Sequence, residues 1–287
     1  MIELKEISFG YGKKRLFSGL DLSMEPGTIY GLLGKNGAGK TTLLKIICGL
    51  RIAQAGTSRV LGFDSALRPA RMLEDIFFLA EELSVPPLTP PVYERLYAPF
   101  YPRFDHEAFG GHLSLLEIPT DKKLSELSYG QKKKFLIAFG LASRCRLLLM
   151  DEPSNGLDIP SKSQFRRLLA GAGGSDQVIL VSTHQVRDME NLIDPLIILD
   201  EGRIIFQQAM KDVGTRLRAG IETAEPVDGG VLYAEKTLGG WAVLRENQGG
   251  EETSVDLETL FNAVTAAGSR VRALFEAEAA AAAGGTR

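Results

Sequence analysis

Gly34-Lys35-Asn36-Gly37-Ala38-Gly39-Lys40-Thr41-Thr42 sets glycines, a lysine and hydroxyls in the spacing of a phosphate loop: Gly, four residues, then Gly-Lys-Thr. The glycines let the backbone curl with its N–H groups inward, and a helix starting at the loop adds its positive end. Lys40 then suits the outer phosphates and Thr41 suits Mg²⁺.

Further chemistry-bearing residues stand where apolar runs stop. Leu147-Leu148-Leu149-Met150 ends in Asp151-Glu152, and residues 177–182 end at Thr183-His184. A carboxylate at the tip of a buried strand is costly unless it meets a cation, so Asp151 is a candidate to share Mg²⁺ with Thr41 through water. Its other reading is a helix N-cap. Glu152 can polarise a water for in-line attack on a terminal phosphate, or act as a structural partner for Arg or Lys. His184 can hydrogen-bond the terminal phosphate and the attacking water. His106 and His112 are assigned no role.

A second anion site is suggested by Leu127-Ser128-Tyr129-Gly130-Gln131, a turn that opens a helix, with Ser128, the Gly130 amide and the helix dipole as donors. Lys132, Lys133 and Lys134 follow and read as a solvated helix face. Two phosphate-binding helix ends either fold together in one chain or are shared head to tail between two copies. Tyr11, upstream of the loop, can stack on a purine, or is a partly buried surface tyrosine.

The elements that must hold these residues follow from periodicity. Residues 28–33 read as a buried strand into the phosphate loop, and Leu43, Leu44, Ile46 and Ile47 as the apolar stripe of the helix leading out. Residues 2–7 alternate as a strand, followed by a turn at Phe9-Gly10-Tyr11-Gly12. Residues 57–60 and 76–80 read as strands. A proline-rich stretch over 81–103 and helical periodicity over 105–144 mark an inserted, mostly helical segment at about 83–144. The apolar runs at 147–150 and 177–182 suit parallel strands buried on both faces. Asp200-Glu201-Gly202 marks one hairpin and Leu238-Gly239-Gly240 another, and Asp256 caps a helix through Leu257, Leu260, Phe261 and Val264. The last, alanine-rich stretch has little to bury and reads as a frayed tail.

The 287 residues suffice for one large domain and a small appendage, and the net charge of −3 gives no support to nucleic-acid binding. Two cysteines, Cys48 and Cys145, provide neither a disulfide framework nor a Cys-rich zinc site. No apolar run approaches the roughly 20 residues of a membrane span, and the N-terminus does not read as a signal peptide. Any work at a membrane is therefore expected to go through a partner, with no direct insertion.

As a set, these motifs resemble the ATPase subunit of an ATP-binding-cassette (ABC) transporter over about residues 1–209. They are the phosphate loop, the Leu127–Gln131 signature, the strand ending in Asp151-Glu152-Pro153, the Asn155-Gly156-Leu157-Asp158 contact loop, the His184 switch position and the Tyr11 aromatic position. The resemblance implies an α/β fold: a P-loop NTPase core of mainly parallel sheet with an antiparallel β edge, an inserted helical subdomain at about 83–144, and a small C-terminal α+β appendage. With the appendage and tail read from the residues themselves, the chain divides into 1–209, 210–275 and a tail at 276–287.

The same likeness implies ATP and Mg²⁺, hydrolysis of ATP, and two subunits that sandwich two nucleotides while pulling on a membrane permease. The subunit would be cytoplasmic, peripheral to the inner face of the cell membrane, with a weak lean toward export. Tyr11, Gly34, Asn36, Gly37, Ala38, Gly39, Lys40, Thr41 and Thr42 would hold the nucleotide, and Ser128 and Gly130 the partner's γ-phosphate. Thr41, Asp151 and Glu81 would serve Mg²⁺, and Glu152, His184 and Lys40 catalysis. Glu81 stands where the family usually has Gln, and Tyr129 where it usually has Gly, so that a bulky ring must point away or alter the contact. Phe100-Tyr101-Pro102-Arg103-Phe104 either receives the permease, through Tyr101 and Arg103, or is core packing. The rival classes are a soluble cassette ATPase of translation or DNA repair, which usually carries tandem cassettes or long coiled coils, and a module that senses ATP without turning it over.

Overall fold

Apolar-polar alternation at the N-terminus makes a strand longer than the pattern suggests. In the computed structural model, which describes residues 1–185, 189, 192–226, 229–249 and 251–275, β1 (Ile2–Tyr11) pairs antiparallel with β2 (Lys14–Met24). Ile2 and Leu4 face inward, then the register shifts, Glu6 takes φ 52°, and Ile7 and Phe9 face inward instead. One extra residue at this bulge changes the phase of the alternation. The expected turn at residues 9–12 is therefore corrected: Phe9, Gly10 and Tyr11 are strand, and only Gly12, at φ 57°, begins the turn.

The chain continues through β3 (Thr28–Leu33), α1 (Lys40–Ile47), β4 (Ala55–Val60), β5 (Phe63–Asp64), the short α2 (Ala70–Leu73) and β6 (Ile76–Leu79). The helices α3 (Pro90–Tyr97), α4 (His106–Leu115) and α5 (Tyr129–Ala142) follow before β7 (Leu147–Asp151). Then come α6 (Ile159–Ala170), β8 (Val178–Thr183), β9 (Leu196–Asp200) and β10 (Arg203–Gln208). The last elements are α7 (Met210–Arg216), β11 (Leu217–Glu222), β12 (Val231–Thr237), β13 (Gly240–Glu246) and α8 (Leu257–Ala266).

Two sheets share one core. The antiparallel sheet has the order β2-β1-β4-β5, and the six-stranded sheet β10-β9-β3-β8-β7-β6. In the latter every neighbouring pair is parallel except β9 with β10. The continuous apolar runs account for this, because Leu147 to Met150 and Val178 to Val181 are wholly buried and such strands need cover on both faces. The register aligns Leu33 with Thr183 and Asp151 with Ser182. The carboxyl ends of β3, β7 and β8 therefore meet along one rim, where open α/β sheets bind ligands.

Between β6 and β7, α4 packs on α5 and the space is filled by rings. Phe139 meets Tyr93, Tyr101, Phe104 and Phe109 at centroid distances of 4.9 to 5.8 Å. At the C-terminal side, β11-β13-β12 forms a three-stranded antiparallel sheet whose apolar side chains run on into the main core, with Phe275 edge-on to Phe206 at 5.2 Å. Both expected hairpins form, and Asp256 caps α8 by accepting from the Thr259 amide. The strand β11 (Leu217-Arg218-Ala219-Gly220-Ile221-Glu222) alternates apolar and polar residues but is not among the strands expected from the sequence. The tail at 276–287 lies outside the described residues.

Gly202 shows how tightly the two sheets meet. It turns the β9–β10 hairpin at φ 75°, and a Cβ there would run into the carbonyl oxygen of Leu16 on β2. Gly202→Ala is expected to remove at least about 2 kcal/mol of stability, combining left-handed strain with a backbone clash. A thermal melt with an unmoved midpoint would contradict this packing.

Candidate functional site

The phosphate loop closes onto the first turn of α1. Gly37 and Gly39 take φ of 82° and 111°, which only glycine adopts without strain. A Cβ at Gly39 would lie 2.7 Å from the Phe17 ring, and one at Gly34 2.5 Å from the Leu199 carbonyl oxygen. The Lys40 ammonium folds back over the loop and donates to the Gly34 carbonyl at 2.8 Å.

At the tips of β7 and β8 the carboxylates are held in a fixed order. Asp151 is fully buried; one of its oxygens accepts from Thr41 Oγ1 at 2.6 Å and the other from Ser182 Oγ. Glu152 is 4% exposed and has φ 48°, a left-handed backbone rare for a non-glycine residue. This turn aims its carboxylate at Lys40 Nζ, 3.6 Å away, and at His184 Nδ1, 2.9 Å away, while the His184 amide donates to the second oxygen at 3.3 Å. The buried Glu152 carboxylate thus stands between Lys40, at the start of α1, and His184, just past the end of β8.

A cleft of about 610 Å³ opens above this group, lined among others by Tyr11, Asn36, Gly37, Gly39, Lys40, Thr41, Thr42, Glu81, Glu152 and His184. That is the size of a nucleotide-class pocket. Tyr11 stands half exposed at its mouth, its hydroxyl 3.2 Å from Thr42 Oγ1, and this hydrogen bond holds the phenol below its usual pKa. Gly34 borders an adjoining pocket with Lys35, Asn36 and His184. Ala38 and Asp151 lie behind the wall. Glu81 accepts from the Asn155 side-chain amide at 3.3 Å. Thr41 and Asp151 offer the hard oxygen donors that Mg²⁺ prefers. Among the described residues no three His, Cys, Asp or Glu side chains gather into a metal-holding group, so such an ion would take most of its shell from phosphate and water.

The signature turn lies elsewhere. Ser128 is exposed and caps α5, accepting from the Gln131 amide at 3.2 Å while the Gln131 side chain accepts from the Ser128 amide at 3.1 Å. Neither Ser128 nor Gly130 lines the cleft. The two helix ends are not brought onto one pocket within a single chain. The Tyr129 ring turns back onto its own chain: its hydroxyl donates to the Glu81 carbonyl at 2.8 Å, and a Cβ on Gly156 would lie 2.9 Å from the ring.

One expectation is corrected here and one pair of open readings is narrowed. Lys133 does not belong to a solvated face: it is 0% exposed and donates to the carbonyls of Glu152 at 2.7 Å and Asn155 at 2.9 Å. Burial pushes its pKa down, against the pull of Glu81, Glu152 and Asp151. The signal was available, since Ile137 and Leu141 follow at four-residue steps and mark the buried face of α5. Of the two readings of residues 100–104, core packing describes Tyr101, while Arg103 is exposed and ion-paired. Tyr101 packs on Phe77 and Phe139, and Arg103 is paired to Asp75 at 3.0 Å and Asp176 at 2.8 Å. The exposed apolar residues of that region are Leu96, Tyr97 and Phe100.

Comparison with known proteins agrees with this geometry. The family model described as ABC transporter matches residues 17–155. The Nod factor export ATP-binding protein I of Burkholderia orbicola is 34% identical over 218 residues, covering 72% of this chain and 70% of the relative. Its namesake in Rhizobium etli is 30% identical over 274 residues, covering 91% and 81%. A solved ATP binding subunit of an ABC transporter aligns with a TM-score of 0.66 at 26% identity, over 74% of this chain and 91% of that one. A dimeric ATP-binding cassette in a post-hydrolysis state, bound to ADP and Pi, shares the fold with a TM-score of 0.64 at 22% identity, over 73% and 98%.

Proposed function

The chain belongs to the ABC transporter ATP-binding proteins and is the ATP-binding, ATP-hydrolysing subunit of such a transporter; we propose that it serves an exporter, working as one half of a dimer that sandwiches two ATP–Mg²⁺ and drives a separate membrane permease. The observation that carries the reading is the Glu152 carboxylate, held between Lys40 and His184 at the floor of the cleft that the phosphate loop lines.

In this reading the loop amides and Lys40 bind the β- and γ-phosphates, Thr42 an inner phosphate, and Tyr11 stacks on adenine. Thr41 and Asp151, with Glu81 nearby, hold Mg²⁺, which neutralises phosphate charge when bound. Glu152 accepts the proton of the attacking water and His184 orients that water and the terminal phosphate. The Lys40 ammonium faces the Glu152 carboxylate, and the phosphates take over that ammonium on binding.

The exposed Ser128 supports the shared-site arrangement. A signature turn that lies off its own cleft can complete only another molecule's, and the cassette it resembles is dimeric. No helix among the described residues is long and apolar enough to cross a membrane, so transport requires a partner that does. Mg²⁺-dependent phosphate release by the purified chain, stimulated by its permease, tests the whole reading; the absence of nucleotide-dependent release with the permease present would overturn it.

The permease is proposed to dock on the exposed face at Leu96, Tyr97 and Phe100 rather than on Tyr101 and Arg103. Phe100 is 66% exposed, so Phe100→Glu is expected to keep isolated turnover within about twofold, as surface changes do, while abolishing co-purification with the permease. A complex that survives this change, with its ATPase stimulation intact, would remove that face from the contact.

A further inference from the structure

We infer that Lys133 is a positioning residue for the ATPase reaction: it grips the carbonyls at both ends of the 152–155 turn and thereby sets the direction of the Glu152 carboxylate. This inference rests on the assignment of Glu152 as the residue that activates water.

The choice of lysine is the first argument. Lys133 is wholly buried on the face of α5 that Ile137 and Leu141 continue, a place where a methionine of similar length would fill the space without burying a charge. An ammonium there is retained for what it donates. Its two short hydrogen bonds go to Glu152 O at 2.7 Å and Asn155 O at 2.9 Å, and the Tyr129 ring centroid lies 5.3 Å from it.

The conformation it holds is the second argument. Glu152 sits at φ 48°, and a left-handed non-glycine residue persists only where its surroundings over-determine it. The Glu152 peptide is fixed by its own amide to Ser182 O at 3.0 Å, by the Asn155 amide to its carbonyl at 3.2 Å, and by Lys133 to the same carbonyl. Lys133 alone of these comes from outside the β7–β8 rim. Without it the carbonyl is freer to rotate toward a relaxed backbone, and rotation about this peptide swings the carboxylate away from Lys40 and His184. The same helix end also steadies the opposite side of the cleft, through Tyr129 on the Glu81 carbonyl, and the turn that Lys133 grips adds Asn155 on the Glu81 carboxylate.

The test compares Lys133→Met, Lys133→Arg, Glu152→Gln and the Lys133→Met/Glu152→Gln pair in the full chain. It measures kcat and KM for Mg–ATP, binding of a non-hydrolysable ATP analogue, and thermal midpoint. Lys133→Met is expected to lower kcat roughly 10- to 100-fold, the usual consequence of misplacing a reacting group, with analogue affinity and KM changed by no more than about threefold. Lys133→Arg, which keeps donors for both carbonyls, is expected to recover most of that loss. On the Glu152→Gln background Lys133→Met is expected to add nothing, because two residues acting through one group are not additive. Wild-type kcat in Lys133→Met, or a full additional loss on the Glu152→Gln background, would overturn the inference. Should the Met variant fail to fold, Lys133→Leu also removes every donor to the two carbonyls, and an unchanged kcat there overturns it equally. Full turnover in Glu152→Gln itself would instead remove the assignment of Glu152.

Discussion

Glu152→Gln is expected to retain ATP binding while losing about two to four orders of magnitude in hydrolysis, the range over which a positioned general base contributes. The amide matches the carboxylate in shape and fills the same 4% exposed site, still within reach of Lys40 and His184. What it loses is the ability to take a proton from water. It also removes a negative charge from beside the phosphates, so nucleotide affinity is expected to hold or rise. With turnover blocked and binding intact, ATP is expected to drive the chain into a dimer that elutes earlier in size-exclusion chromatography with Mg–ATP. Undiminished phosphate release would take the water-activating role from Glu152, and a purely monomeric profile would count against the sandwich.

Lys40→Ala is expected to give the opposite pattern. Its ammonium is 7% exposed and is shared between the Gly34 carbonyl at 2.8 Å and Glu152 at 3.6 Å, ready for transfer to a phosphate. Charged hydrogen bonds of this kind contribute up to about 3 kcal/mol, so ATP affinity is expected to fall by on the order of 100-fold. The loss has a second component. Glu152 stays buried with its cation gone, so the protein is also expected to melt earlier. Nucleotide titration followed by fluorescence separates the two variants: Glu152→Gln should bind and not turn over, Lys40→Ala should scarcely bind. An ATP affinity unchanged in Lys40→Ala would show that the ammonium belongs to the loop's structure and not to the phosphates.

The local motifs were legible because each is encoded by neighbours in the chain. Glycines at Gly34, Gly37 and Gly39 ahead of Lys40 can only make a tight turn into a helix, and they do. Apolar runs that stop at Asp151 and Thr183 can only be strands covered on both sides, with polar residues at their ends. The hairpins and the α8 cap followed from similar short-range rules, whereas the antiparallel edge was implied by the family resemblance.

What required the tertiary structure was every question of which face a side chain meets. Lys133 looks solvated in a run of three lysines, yet the packing of α5 against the 152–155 turn buries it. Tyr129 looks obstructive in the signature turn, yet Gly156, lacking a side chain, and the Glu81 carbonyl give it a place. Tyr101 looks available for docking, yet the ring cluster around Phe139 takes it. The phase change at Glu6 extends β1 and carries Tyr11 to the mouth of the cleft in a strand instead of a turn. The residue types and spacings thus determined by themselves that this chain carries a glycine-rich loop of phosphate-loop pattern, a carboxylate pair and a second, serine-capped helix start, because short-range backbone geometry suffices to make them. Only the tertiary structure decided that the first two meet and the third stands apart, because strand order and helix packing join residues that no local rule connects.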